Sequence, residues 1–193
     1  MTHDMLSDTA GSLFTMKNGI LENIRFIPSP NFNEYPENTE ISLLVIHCIS
    51  LPRGEYEGNA IIKLFTNSLA PKEHPSYEAI AALKVSAHIL IRRDGEVIQF
   101  VPFNKRAWHA GASQFDGREN CNDFSIGIEL EGTDDTPFTQ AQYKELGSIT
   151  KTLLKTYPQI THDRITGHSD IAPGRKTDPG TEFDWQKYHN LIH

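Results

Sequence analysis

The chain has 193 residues, 38% of them hydrophobic and 22% charged, with a formal net charge of −7. That balance suits one packed domain, with or without an arm, and is not the composition of a disordered chain. Its densest basic clusters are single pairs, Arg92-Arg93 and Lys105-Arg106, so the chain has no nucleic-acid footprint and nothing that anionic membranes would attract.

Taken in chain order, "MTHDMLSDTAGSLFTMKNGI" has acidic residues, no basic start and no long apolar run. It predicts neither a signal peptide nor a spanning helix, hence a soluble, cytoplasmic protein. Residues 1–20 lack periodicity and predict an N-terminal arm, with the domain proper over residues 21–193. "RFIPSPNFNEYPENTE" carries three prolines and predicts extended loop. "SLLVIHCIS" is a short β-branched run, typical of a strand buried on both faces. The stretch from Leu51 to Tyr77 is long and rich in Pro and Gly, and reads either as a lid or as a surface loop. Within it "NAIIKLFTN" predicts a short helix, and a second is predicted from Tyr77 to Leu83.

"VSAHILIRRDGEVIQFVP" predicts a hairpin, two strand-like runs around Asp94-Gly95. "CNDFSIGIELEG" predicts another strand. "FTQAQYKELGSITKTLLKTYP" predicts the one long amphipathic helix, with Thr139 and Gln142 spaced as a capping box and Pro158 closing it. A short strand before the loop "TGHSDIAPGRKTDPG" and a helix in "FDWQKYHNLI" complete the chain. Strands mixed with helices predict a single α/β domain. Cys48 and Cys121 do not form a disulfide framework, and each is expected to be a free buried thiol.

Three places carry possible chemistry. His47 interrupts an apolar strand, where an imidazole needs hydrogen-bond partners or a metal. Glu129 is a carboxylate on a strand, facing either solvent or a site. The loop from Thr166 to Gly180 holds His168, Lys176 and Asp178 on a backbone punctuated by Gly and Pro. Two His and one carboxylate are a usual zinc set, with one position left open for water. A nearby Glu serves as proton acceptor and a Lys as a partner for charge growing on a carbonyl oxygen. His88 and His109 are equally eligible as ligands on chemistry alone. Cys48 is a weaker candidate, because neighbouring strand residues point to opposite faces. HExxH, GxSxG and P-loop patterns do not occur.

"LLVIHCIS", "VSAHILIRRDGEVIQFVPFNKRAWHAG", "CNDFSIGIELEG" and "TGHSDIAPGRKTDPG" together resemble the zinc-dependent N-acetylmuramyl-L-alanine amidases, a family that includes phage-type amidases and peptidoglycan recognition proteins. The likeness runs from Arg25 to the C-terminus, with the four blocks in the family's order. It implies a central mixed sheet flanked by helices, with a zinc cleft at one edge. It implies Zn2+ held by His47, His168 and Asp178, with Glu129 as acid/base and Lys176 stabilising the transition state. His88, Trp108, His109 and Lys84 are expected beside the cleft without being ligands. The likeness is strongest to members that act in the cytoplasm on recycled anhydromuropeptides, which implies hydrolysis of the amide between anhydro-N-acetylmuramic acid and L-alanine. Similar enzymes influence β-lactamase induction. The chain is expected to work as a monomer, without nucleic-acid or membrane partners. An amidase of polymeric peptidoglycan and a non-catalytic peptidoglycan-binding module are the alternatives. The chain departs from the pattern of its nearest kin at Cys48, often Asn, and at Lys84 and Asn120, often Arg.

Overall fold

A six-stranded sheet organises residues 13–193, the part of the chain that this computed structural model describes. In chain order its strands are Arg25–Phe26 (β1), Leu43–Ile49 (β2), Ile89–Ile91 (β3), Val97–Gln99 (β4), Ser125–Glu131 (β5) and Ile165–Gly167 (β6). They lie in the order β6-β2-β5-β3-β4-β1. Only β3 and β4, joined through Asp94-Gly95, run antiparallel; the other neighbours are parallel. The sheet is therefore mixed, and the three strands at one side, β6, β2 and β5, end together.

β2 and β5 are apolar almost throughout because both faces are covered, the usual situation of parallel strands. Leu44, Ile46, Ile126 and Ile128 point to one face. There they meet Leu146, Ile149 and Leu153 of the helix Gln140–Thr156, together with Tyr188 and Ile192 of the helix Trp185–Ile192. Leu43 and Val45 point the other way, toward Ala110, Cys121, Phe124 and Ile171. Each such side chain, at or near zero exposure, contributes about 1.5–3 kcal/mol of burial. The long helix starts as its sequence predicts. The Thr139 hydroxyl accepts from Gln142 N–H, and the Gln142 side chain accepts from Thr139 N–H.

Several expectations change. The stretch from Leu51 to Tyr77 is neither a free lid nor surface ornament along its whole length. The helix Ala60–Phe65 (α1), with Leu69 and Tyr77, forms a second core with Leu90, Ile98 and Phe100. Tyr77 to Leu83 is not a helix: Pro75–Tyr77 is a 3-10 turn, followed by turns with a single helical bond, Ala81 N–H to Tyr77 O. Tyr77, Ile80 and Ala81 pack on the second core, but the segment makes too few helical bonds to repay nucleation. Of the arm predicted over residues 1–20, residues 1–12 lie outside the described residues. Met16–Lys17 pairs with Ile20–Leu21, Phe14 N–H donates to Thr152 Oγ1, and Phe14, Met16 and Leu21 pack on the main core.

Candidate metal centre

The parallel register places the chemistry. Glu129 on β5 pairs with His47 on β2, so their side chains leave the same face near the strand ends. Gly167 on β6 pairs with Ile46, which puts His168, the next residue, beside His47. Asp178 arrives from the following loop, whose path is tied back by Ser169 N–H donating to Asp178 O. Thr177 Oγ1 donates to Asp134 Oδ2 at 2.6 Å, and Arg53 donates to Asp134 Oδ1 at 2.7 Å. Gly180, at φ +90°, lies so near this turn that an added Cβ would stand 1.9 Å from Asp134 O. No other residue type fits there.

His47 Nδ1 stands 2.9 Å from His168 Nδ1 and 3.2 Å from Asp178 Oδ2, and His168 Nδ1 stands 3.0 Å from the same oxygen. Two ring nitrogens and a carboxylate oxygen thus face one point. Ligands about 2.0–2.1 Å from a tetrahedral zinc are themselves roughly 3.3 Å apart, so this triangle fits that ion. Both rings are buried, at 1% and 3% exposure. Burial pushes His47 down to about 4, against the pull of the Asp178 hydrogen bond, so at neutral pH its ring is neutral and can offer a lone pair. Burial works against ionising Asp178 as well. The hydrogen bonds from His168 and His47 outweigh it and hold the carboxyl well below the usual range.

Glu129 is 9% exposed, and its Oε2 is buried without a hydrogen-bond partner among the described residues. Burial first, and the Asp178 charge second, push its carboxyl well above the ordinary value, with Lys176 opposing. A carboxyl lifted in this way beside a metal-type triad is suited to taking up and returning a proton. Lys176 is solvent-exposed on the rim. It lines a cavity of about 280 Å³ together with Cys48, Arg53, Asp134, Thr177 and Asp178. Cys48 is not part of the converging triad, and burial raises its thiol.

None of the four cleft candidates lines that cavity. His88 is buried at 0% exposure, accepting from Gly127 N–H on Nδ1 and facing Lys105 O with Nε2. Tyr35 OH also lies 3.3 Å from Nε2, and the ring stands edge-on to His109, one step back from His47. Trp108 is half-buried and donates from Nε1 to Asn33 Oδ1 at 2.8 Å. Lys84 is exposed on the irregular stretch after the turn, outside this cavity. His109 touches the triad from behind, with Nδ1 2.9 Å from His47 Nε2. Asn120 borders a separate cavity with Arg175. The carbonyl of Ala110, 3.0 Å from His168 Nε2, had no signal in the sequence, since a backbone group carries no residue signature.

A mixed sheet whose parallel strand ends present His, His, Asp and a buried Glu describes a metal-type hydrolase site. The chain belongs to the N-acetylmuramoyl-L-alanine amidase family, whose sequence pattern matches residues 37–181. It is 58% identical over 177 residues to the 1,6-anhydro-N-acetylmuramyl-L-alanine amidase AmpD of Enterobacter cloacae, covering 92% of this chain and 94% of that protein. The AmpD of Escherichia coli strain K12 is 54% identical over 92% of this chain and 96% of its own length. The crystal structure of a selenomethionine AmpD derivative superposes with a TM-score of 0.91 at 53% identity, covering 93% of this chain and 99% of that one.

Proposed function

We propose that this amidase hydrolyses the amide between anhydro-N-acetylmuramic acid and L-alanine in recycled muropeptides, as a zinc enzyme. The observation that carries the reading is the triad of buried His47 and His168 with half-buried Asp178, set beside Glu129 Oε2, which has no hydrogen-bond partner among the described residues. The names of the similar AmpD proteins supply the bond. His47 Nδ1, His168 Nδ1 and Asp178 Oδ2 would hold the zinc. When bound, zinc supplies a Lewis acid and lowers the pKa of a water to about 7.

Glu129 takes the proton of the attacking water on its carboxylate, whose Oε2 has no hydrogen-bond partner among the described residues. Its raised pKa keeps that proton long enough to pass it to the departing amine of L-alanine. The Lys176 ammonium offers charge to the carbonyl oxygen as the tetrahedral centre forms. Arg53 and Arg175 share this rim, but Arg53 is paired with Asp134 and Asp135 and Arg175 donates to the Ala110 and Ala112 carbonyls, so Lys176 is the cation there left to the substrate. On this reading the protein works in the cytoplasm as a monomer; among the described residues no helix is long and apolar enough to cross a membrane.

The test is mass spectrometry of a defined anhydromuropeptide incubated with the protein as isolated, after chelation, and after zinc is restored. Release of the free stem peptide that stops with chelator and returns with zinc is expected. An intact substrate with zinc demonstrably bound would overturn the assignment and turn attention to polymeric peptidoglycan.

A further inference from the structure

Both candidate imidazole ligands turn their outer nitrogens to one segment, Trp108 to Ala110. His168 Nε2 lies 3.0 Å from the Ala110 carbonyl, which only accepts. His168 therefore carries its proton on Nε2 and leaves Nδ1 bare. For His47 the same outcome is reached through two side chains. Ser125 Oγ donates its only proton to Cys121 O at 2.5 Å. Toward His109 it is then an acceptor, and His109 Nε2 lies 3.2 Å from it. His109 carries its proton on Nε2, so its Nδ1 is bare and accepts from His47 Nε2–H at 2.9 Å. His47 Nδ1 is left without a proton, facing His168 and Asp178.

We infer that His109, backed by Ser125, is a positioning residue of the metal centre: it selects the tautomer of His47 and fixes the plane of its ring. The inference rests on the zinc reading above and deepens it. The surroundings are built for this contact. The His109 ring lies across Gly127 on β5, where an added Cβ would stand 2.4 Å from its Cγ. Asn122 Oδ1 accepts from both His109 N–H and Ala110 N–H, at 3.1 and 2.8 Å, and so holds the two outer partners in one frame. The rings of His47 and His109 meet edge to face at 87°. A ring needed only for packing requires neither the Ser125 relay nor this orientation. Partners of this kind orient a ligand and raise its basicity.

The experiment measures zinc affinity by competition with a chromophoric chelator for the unmodified protein, His109→Phe, His109→Asn and Ser125→Ala. Phe keeps the ring and removes the acceptor, and a weakening of about 10–100-fold is expected. Asn places its Oδ1 near the site of the lost Nδ1 and is expected to recover most of that affinity. Ser125→Ala frees the tautomer of His109 and is expected to weaken zinc by a smaller factor. An affinity of His109→Phe within about threefold of the unmodified protein overturns the inference. A long-range 1H–15N spectrum of the unmodified, zinc-loaded protein tests it without any variant. Protons on Nε2 of both His47 and His109 are expected, and a proton on Nδ1 of His109 overturns the inference. An unmodified protein that takes up no zinc fails the metal reading itself, a result distinct from unchanged affinity in the Phe variant.

Discussion

Glu129 shows how one residue acquires a function from its place. On a strand in open solvent it would be an ordinary carboxylate. Here the register with His47 puts it in the interior, where burial raises its pKa and none of the described residues hydrogen-bonds Oε2. Replacing it with Gln keeps shape and volume but removes the proton acceptor. Glu129→Gln is expected to retain zinc and to lose about 10²–10⁴ in kcat, the usual share of a general base. The pH profile gives an independent check. A base with a raised pKa needs a higher pH to ionise, so the acidic limb of kcat/KM should lie above the ordinary carboxylate range. That limb should vanish from the residual activity of the Gln variant. Zinc analysis with steady-state kinetics from pH 4 to 8 measures both, and undiminished turnover would remove Glu129 from the mechanism.

At the scale of elements, the helix Gln140–Thr156 is the clearest case of local sequence and tertiary structure agreeing. Thr139 caps it and also donates to Arg93 O at 2.7 Å, so one hydroxyl joins the helix start to the hairpin of β3 and β4. Thr139→Ala is expected to cost about 0.5–2 kcal/mol and to leave zinc content unchanged; urea unfolding alongside metal analysis checks it. An unchanged midpoint would mean that the cap contributes nothing. Elements with their own periodicity or punctuation, such as this helix, the strand around His47 and the hairpin at Asp94-Gly95, were legible in the sequence. Met16–Lys17, Ile20–Leu21 and β1 were not, because a two-residue strand is made by its partner and carries no period. The turns after Tyr77 resembled a helix because their apolar spacing matched one, yet too few bonds form to sustain it. For the site, the residue types were readable but their meeting was not. His47 and His168 are 121 positions apart, and only the adjacency of β2 and β6 joins them. The role of His109 depended on Gly127 and Ser125 across the sheet, a relation that no spacing in the sequence encodes.

For the molecule as a whole, the cluster of buried histidines makes folding stability depend on pH. Burial holds His47 and His88 down at about 4, against an ordinary value of 6.5. Between those two values the unfolded chain binds protons that the folded chain refuses. Stability therefore falls as the pH drops from about 6.5 toward 4, by about 3 kcal/mol per histidine at most, and below that window both states are protonated and the loss ends. Glu129 has the opposite sign. Its folded pKa is raised, so its contribution is complete below the unfolded value and is lost as the pH rises through the folded one. The metal-free protein should thus be limited on the acidic side by its histidines and on the other side by Glu129. Bound zinc would change both limits, because it requires bare imidazoles and offsets the carboxylate charge. Urea unfolding of the chelator-treated protein at pH 7, 5.5 and 4.5 is expected to show a midpoint that declines with each step. His88→Gln, which removes a titrating ring that touches no ligand of the triad, should flatten the decline even if it lowers the midpoint at pH 7. A wild-type midpoint that stays level across that range would mean that these rings accept protons in the folded state. The lone pairs assigned to the metal site would then be absent at mildly acidic pH.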